Sequence, residues 1–175
     1  MRYYNNIARF YDEVYGEEQE LKIQAAIESL QLPIGSFVLD LGCGTGLLIP
    51  KLMRIAECIV CIDMSRTMIE RVDLKTRRLE NVHMILADAD HTPLRQGDFD
   101  VIFAITLLQN MPDPNRTLRE IRYNAKPEAL IVVTGLKKHF SRKDFLKLLK
   151  EARLETKSPE SDNILNCHVA TCTKH

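Results

Sequence analysis

The sequence contains no tryptophan, and aromatic side chains make up only 6% of its 175 residues. Neither sign of charge prevails: 24 Lys plus Arg face 24 Asp plus Glu, so bulk charge argues for no class of partner. No apolar run approaches the roughly 20 residues of a membrane-spanning helix, and the polar start Met-Arg-Tyr-Tyr-Asn-Asn is unlike a signal peptide. Repeats, low-complexity tracts and linkers are missing too. The cysteines are odd in number, five, and scattered, which suits a reducing compartment and makes a cytoplasmic location the expectation. Cys58 and Cys61 form C-x-x-C inside an apolar run, where strand alternation turns them to opposite faces. The same alternation parts Cys167 from Cys172, so these two with His168 and His175 are read as structural and no metal is expected.

What remains is the profile of one globular domain, 45% hydrophobic and 27% charged. Charge is uneven along it, with five basic and nine acidic side chains in residues 1–63. The densest basic stretch, Lys137 to Lys157, fits a solvated helix face or an anion-binding surface.

Glycine is scarce, seven residues in all, yet three of them fall within five positions, at 42, 44 and 46. Phe37 to Leu41 before them is an apolar run broken only by Asp40, and Leu47 to Met53 after them has helical apolar spacing. A strand, a glycine turn and a helix bring bare backbone N–H groups against a ligand at a helix N-terminus. A dinucleotide site asks for G-x-G-x-x-G, but its third glycine position is Leu47 here, and its strand enters the turn on apolar residues, not on an acid such as Asp40. D-x-G-x-G-x-G, Asp40 to Gly46, resembles the first motif of class I S-adenosylmethionine-dependent methyltransferases. There the acid helps hold the turn and meets the cofactor's amino group, directly or through water. A glycine-rich turn in another α/β protein is the alternative.

The rest of the chain can be read in order. Five aromatic residues crowd Tyr3 to Gly16, with Ile7, Phe10 and Tyr11 at helical spacing. Ala-Arg-Phe-Tyr-Asp, Ala8 to Asp12, is similar to the A-x-x-Y-D segment of ubiquinone/menaquinone-type methyltransferases. That resemblance implies a segment folded over the cofactor with Tyr11 near its methionine end; an amphipathic helix packed on the domain is the plainer reading. Glu17 to Leu30 follows as a helix, with Leu21, Ile23, Ala26, Ile27 and Leu30 on one face. Cys58 to Asp63 is a strand ending in an acid 17 residues beyond Gly46, the spacing of a β-α-β unit. A carboxylate at that tip can accept from both ribose hydroxyls. Ser65 caps the next helix, lined by Met68, Ile69, Val72 and Leu79, and Met64 stands where it could pack on adenine. Val82 to Ala87 is a third strand ending in an acid, Asp88, which in the family meets the adenine amino edge together with the N–H of Ala89.

Asp90 to Asp100 fits a further family pattern, an acid-rich turn, Pro-Leu, then G-x-F-D. The strand Val101 to Ile105 comes next, ending with Thr106 to Asn110 at the crevice where open α/β sheets bind ligands. Asp113 and Pro114 start a helix to about Asn124, Ala129 to Thr134 is a strand, and Ser141 caps a helix with Phe145, Leu146, Leu148, Leu149 and Ala152 inward. Leu154 to Lys157 and Ile164 to Thr173 close the chain as strands joined by a Ser-Pro-Glu-Ser-Asp-Asn turn.

The expected fold is therefore α/β, a Rossmann-like doubly wound sheet of seven strands, mostly parallel with an antiparallel last strand and helices on both faces. One domain spans 1–175, with 1–30 a helical segment over the cofactor site and 36–175 the core. The resemblance implies S-adenosyl-L-methionine as cofactor, held by Tyr11, Asp40, Gly42, Gly44, Gly46, Asp63, Met64, Asp88, Ala89 and Ile105.

Methyl transfer asks little covalent chemistry of a protein, and a base is needed only where the acceptor must lose a proton. Gln109, Asn110 and His139 are the candidates for a catalytic role, and His91, in a turn, reads as structural. Thr-Leu-Leu-Gln-Asn, Thr106 to Asn110, departs from the N-P-P-[YF] pattern of enzymes acting on planar nitrogens, and no Pro-Cys pair stands there for attack on a pyrimidine. Only six residues separate Thr134 from Ser141, where small-molecule members insert a lid. An open site favours a macromolecular acceptor such as tRNA or protein, a homodimer, or a partner subunit; some compact relatives use a small zinc-binding activator. A small-molecule enzyme acting as a dimer, a non-catalytic cofactor-binding subunit and a nicotinamide oxidoreductase are the alternatives. Leu47, Asp40 and Asp88 disfavour the last.

Overall fold

Apolar runs of five or six residues, repeated between helical stretches, need cover on both faces, and a parallel sheet sandwiched by helices provides it. The computed structural model describes residues 10–160 and 165–174. Its seven strands are β1 (Ser36–Leu41), β2 (Ala56–Asp63), β3 (Val82–Leu86), β4 (Phe99–Ala104), β5 (Ala125–Leu136), β6 (Leu154–Glu160) and β7 (Cys167–Lys174). They form one sheet in the order β3-β2-β1-β4-β5-β7-β6. All pairs are parallel except those of β7, which runs antiparallel to both β5 and β6. The strand order reverses between β1 and β4, so the crevice outside their C-terminal ends is the topological switch point.

Successive residues of β1 serve opposite layers. Val38 joins Ile59, Cys61, Val101 and Phe103 on the face covered by α1 (Tyr11–Glu28), α2 (Ile49–Leu52) and α3 (Arg66–Thr76). Leu39 and Leu41 join Ile62, Ile102 and Ala104 on the face covered by α4 (Pro114–Asn124) and α5 (Arg142–Glu151). Cys61 is buried in the first layer while Cys58 is half-buried on the other side, and Cys167 and Cys172 fall in different layers.

Three helices start where capping chemistry puts them. Ser65 Oγ accepts from Met68 N at 3.3 Å, Asp113 Oδ1 from Asn115 N at 3.1 Å with Pro114 next, and Ser141 Oγ from Asp144 N at 3.1 Å. Leu79 lies past the end of α3, in a turn closed by its N–H on Thr76 O.

The helix expected over 47–53 contracts to the single turn of α2. Pro50 has no N–H for the Gly46 carbonyl, which Ile49 N takes instead at 3.2 Å. Strand β5 begins four residues before Ala129: its pairing with β4 shifts between Phe99 and Val101, and the extra residues hold Pro127 and Glu128 at φ 60°, a bulge. Strand β6 takes in Ser158 to Glu160, the first half of the expected turn; residues 161–164 lie outside the described residues, as do Tyr3, Tyr4 and Ile7.

Helix α1 runs unbroken through Gly16, so the two N-terminal segments are one helix. Its buried face is Gln19, Lys22, Ile23 and Ala26, spaced i, i+3, i+4, i+7, and Leu21 from the expected face is 55% exposed. Apolar content alone hid that stripe, because two of its four members are polar.

Candidate active site

The three glycines of the turn after β1 all have positive φ: 79° at Gly42, 53° at Gly44 and 78° at Gly46. A Cβ on Gly42 would stand 2.9 Å from Leu107 Cδ1, and one on Gly46 would stand 2.9 Å from Ile49 Cδ1 and 3.1 Å from Val72 Cγ2. Both are glycine because side chains from β4's end, α2 and α3 close on the backbone. At Gly44 a Cβ would meet nothing within 4 Å. Gly44 faces a cavity of about 170 Å³, walled also by Asp40, Asp63, Met64, Met68, Ile105, Leu107 and Tyr11.

Four N–H groups of the turn are engaged within the protein. Gly42 and Cys43 donate to Ile62 O, Gly46 donates to Cys43 O, and Gly44 donates to Asp63 Oδ2 at 3.0 Å. Helix α2 behind the turn is only one turn long. Asp63 Oδ1 also accepts from Ser65 N at 2.8 Å, so one carboxylate ties the tip of β2 to the glycine turn. Burial pushes Asp63 up from its usual range, against the pull of the N–H groups of Ser65, Gly44 and Met64. Asp40 is buried, and desolvation, with the nearby charge of Asp63, lifts its carboxyl to about 7. A hydrogen bond to Cys61 and burial hold the Cys43 thiol above its usual range.

A second cavity, about 500 Å³, lies beyond the first and shares a wall with it: Tyr11, Gln19, Thr106 and Asn110 border both. Thr106 is the centre of that wall and holds φ 58°, a conformation costly for a β-branched residue. Every polar atom it has is used to keep it there. Its N–H donates to Thr134 Oγ1 at 2.7 Å, its hydroxyl donates to Gln19 Oε1 at 2.9 Å, and its carbonyl accepts from Gln109 Nε2 and from Asn110 Nδ2 at 2.8 Å. Lys22 Nζ reaches the same hydroxyl at 3.4 Å and Glu18 Oε1 at 2.7 Å.

Helix α1 is fastened over the site by Asp12. Thr45 of the glycine turn donates its hydroxyl to Asp12 Oδ1, and Lys75 Nζ bridges Asp12 Oδ2 and Thr45 O, each at 3.1 Å. Arg71 adds an ion pair at 3.8 Å.

Of the sequence-derived candidates, Tyr11, Asp40, Gly42, Gly44, Asp63, Met64 and Ile105 line the inner cavity. Gly46 lies behind it as packing. Asp88 and Ala89 do not line it; Asp88 is exposed and accepts from Asp90 N at 2.9 Å. Gln109, Asn110 and His139 come together on the outer cavity, whereas His91 is exposed beside Arg116. Gln19, Lys22, Thr45 and Thr106 were not singled out from the sequence. Polar residues in the apolar stripe of α1 were the available signal for the first two; nothing local marks Thr106.

Among the described residues no group of three or more His, Cys, Asp or Glu could hold a metal ion, and no helix is long and apolar enough to cross a membrane.

Solved structures share this fold. Over 98% of both chains it superposes, at TM-score 0.86 and 15% identity, on a chain from the complex between the Haloferax volcanii Trm112 methyltransferase activator and a methyltransferase. A SAM-dependent methyltransferase from Aquifex aeolicus aligns at TM-score 0.77 and 20% identity, over 87% of this chain and 89% of that one. In sequence, a demethylmenaquinone methyltransferase of Staphylococcus haemolyticus is 26% identical over 136 residues, 74% of this chain and 57% of that protein. The chain spans about half the length of the curated relatives it matches. Residues 39–133, more than half of the chain, match the methyltransferase domain family, and the chain belongs to that family.

Proposed function

We propose that the chain is a methyltransferase that uses S-adenosyl-L-methionine, with the cofactor in the inner cavity and the methyl acceptor in the outer one. The division among the three glycines carries this reading: two are filled against by the protein's own side chains, and Gly44 alone opens onto space beside Asp40 and Asp63. Bound there, the cofactor supplies a sulfonium methyl group for in-line transfer. Gly44, Asp40, Asp63, Met64 and Ile105 are the residues that would hold it. The Asp63 carboxylate takes the N–H groups of Gly44, Ser65 and Met64 and keeps a lone pair for a hydroxyl donor. Asp40, poised near 7, can donate or accept near neutral pH. Leu47 at the third glycine position of G-x-G-x-x-G, and two carboxylates beside the turn, disfavour a pyrophosphate and with it a dinucleotide. Asp88 and Ala89 belong to this reading only if the adenine edge extends beyond the inner cavity.

The chain's own contribution to the step is placement. Helix α1, latched at Asp12, contributes Tyr11, Gln19 and Ile23 to the lining of the inner cavity, and Thr106 fixes Gln19 and Asn110 where the two cavities meet. Holding two reactants in line and in contact where the two cavities meet supplies up to ~7–11 kcal/mol in well-oriented systems. Where the acceptor must lose a proton, Gln109, Asn110 and His139 are the candidates to receive or guide it. Among the described residues, 10–30 act as cover and those from 36 onward as core of one domain, and five free cysteines suit a cytoplasmic setting.

The acceptor is a group presented by a macromolecule such as tRNA or protein, or with a partner subunit. The short β5–α5 segment and the Trm112-activator neighbour support this; the demethylmenaquinone relative supports a small molecule instead. The alternative is a cofactor-binding subunit that does no chemistry and stabilises an active partner. Calorimetry with S-adenosylmethionine, S-adenosylhomocysteine and NAD, followed by labelled methyl transfer into fractionated lysate, separates them. Adenosyl ligands binding without NAD supports the site. Label entering a fraction supports the enzyme, and binding with no transfer under any fraction supports the subunit.

A further inference from the structure

Lys22 is 1% exposed, and methyl transfer as described makes no use of it. An ammonium removed from water is costly unless its donors are met, and an apolar side chain in the α1 stripe would carry no such cost. Among the described residues its three donors have two partners, Glu18 Oε1 at 2.7 Å and Thr106 Oγ1 at 3.4 Å. The second is long, although that hydroxyl gives its proton to Gln19 and keeps a lone pair to accept, and the third donor has no partner among the described residues. The ammonium is therefore short of an acceptor where it lines the outer cavity. Lys137, Lys138 and His139 line the same cavity, and Glu18 is the one acid among its lining residues. Gln109 gives Nε2 to Thr106 O, and its Oε1 is buried with no partner among the described residues.

We infer that the outer cavity takes its acceptor by an anionic group, carboxylate or phosphoryl, set against Lys22 with Lys138 and His139 at the rim. The same ligand offers an N–H or O–H to Gln109 Oε1. The inference rests on the methyltransferase reading and names the acceptor's class: an anion that also carries a hydroxyl or amino group. At about 500 Å³ the cavity is within the ~300–1,000 Å³ of small-molecule sites, so it admits a metabolite or one unit of a larger acceptor.

The test uses the full chain saturated with S-adenosylhomocysteine, titrated with lactate, glycerol 3-phosphate and neutral glycerol while backbone amide shifts are followed. Lactate or glycerol 3-phosphate should move the amides of Asn110 and 137–139, and the one that binds tells carboxylate from phosphoryl. Glycerol should move none. Lys22→Met should weaken the anion about tenfold or more while leaving S-adenosylhomocysteine affinity unchanged. Lys138→Glu, at an exposed position that cannot disturb folding, should weaken it as well. The inference fails if no anion binds, if glycerol binds equally, or if neither variant matters. It also fails if Lys22→Met costs S-adenosylhomocysteine its affinity, because the ammonium then serves the cofactor's own carboxylate. Absence of S-adenosylhomocysteine binding in the unmodified chain is a separate result, and it sinks the methyltransferase reading itself.

Discussion

The inner cavity is walled by backbone turns, two carboxylates and apolar side chains, and the outer cavity by amides, lysines and a histidine. One depends on conformation: three positive-φ glycines and strand tips in fixed register, Asp40 opposite Cys61 and Phe103, and Asp63 opposite Leu86. The other depends on side-chain chemistry brought from α1, the 106–110 segment, the β5–α5 segment and Asn166. A site made by conformation tolerates little change and serves one ligand. A site made of long side chains can be altered residue by residue, which is how one fold comes to serve many acceptors.

The largest expected effect separates two glycines of the inner half. Gly46→Val drives a branched side chain into Ile49 and Val72 at positive φ and should lower stability by about 2–5 kcal/mol, read by chemical denaturation. At Gly44 an added Cβ has nothing within 4 Å, so in Gly44→Val the fold should survive with mainly backbone strain while S-adenosylhomocysteine binding is lost. Equal destabilisation with binding retained would erase the distinction.

Next is pH. The folded-state value of Asp40, about 7, lies above its ordinary 3.8, so the folded protein holds a proton that the unfolded chain releases between roughly pH 4 and 7. Stability should therefore fall as pH rises through that window and level off above it. Asp40→Asn keeps the neutral form and should be more stable than the parent at pH 8 by up to about 4 kcal/mol, with the difference vanishing near pH 4. A difference independent of pH would show that Asp40 is ionised throughout.

Asp63→Ala removes a charged acceptor from Gly44 N and Ser65 N as well as from the ligand. Each lost bond to a hydroxyl should cost about 1.5–3 kcal/mol of binding, measured by calorimetry, and unchanged affinity would remove Asp63 from the site. The smallest effect is at the latch. Asp12→Ala breaks the contacts to Thr45, Lys75 and Arg71, partly exposed and worth about 1 kcal/mol together. It should speed proteolysis and amide exchange in α1, while S-adenosylhomocysteine should slow both in the parent protein.

The two halves also differ in how far the sequence announced them. The alternation of strands and helices, the caps at Ser65, Asp113 and Ser141, and the strand-tip positions of Asp40 and Asp63 follow local rules of spacing and were readable, whereas the order of strands in the sheet was implied by the family resemblance. Asp88 follows the same spacing, yet its carboxylate caps its own turn, because strand-end position alone does not say which way a side chain points. Thr106 adopts its strained conformation only because Thr134, 28 residues away, and Gln19, 87 away, hold it there. Lys22 stands outside the apolar face read from the sequence of α1, and it is buried only because α1 packs on the sheet. The early start of β5 was concealed by Pro127, which a bulge accommodates.

The most direct test of the account is an amide-shift titration of the full chain with S-adenosylhomocysteine alone. Shifts should concentrate at 42–46 and 63–65, with 137–139 left in place. Shifts at 137–139 with none in the glycine turn would contradict the assignment of cofactor to the inner cavity and acceptor to the outer.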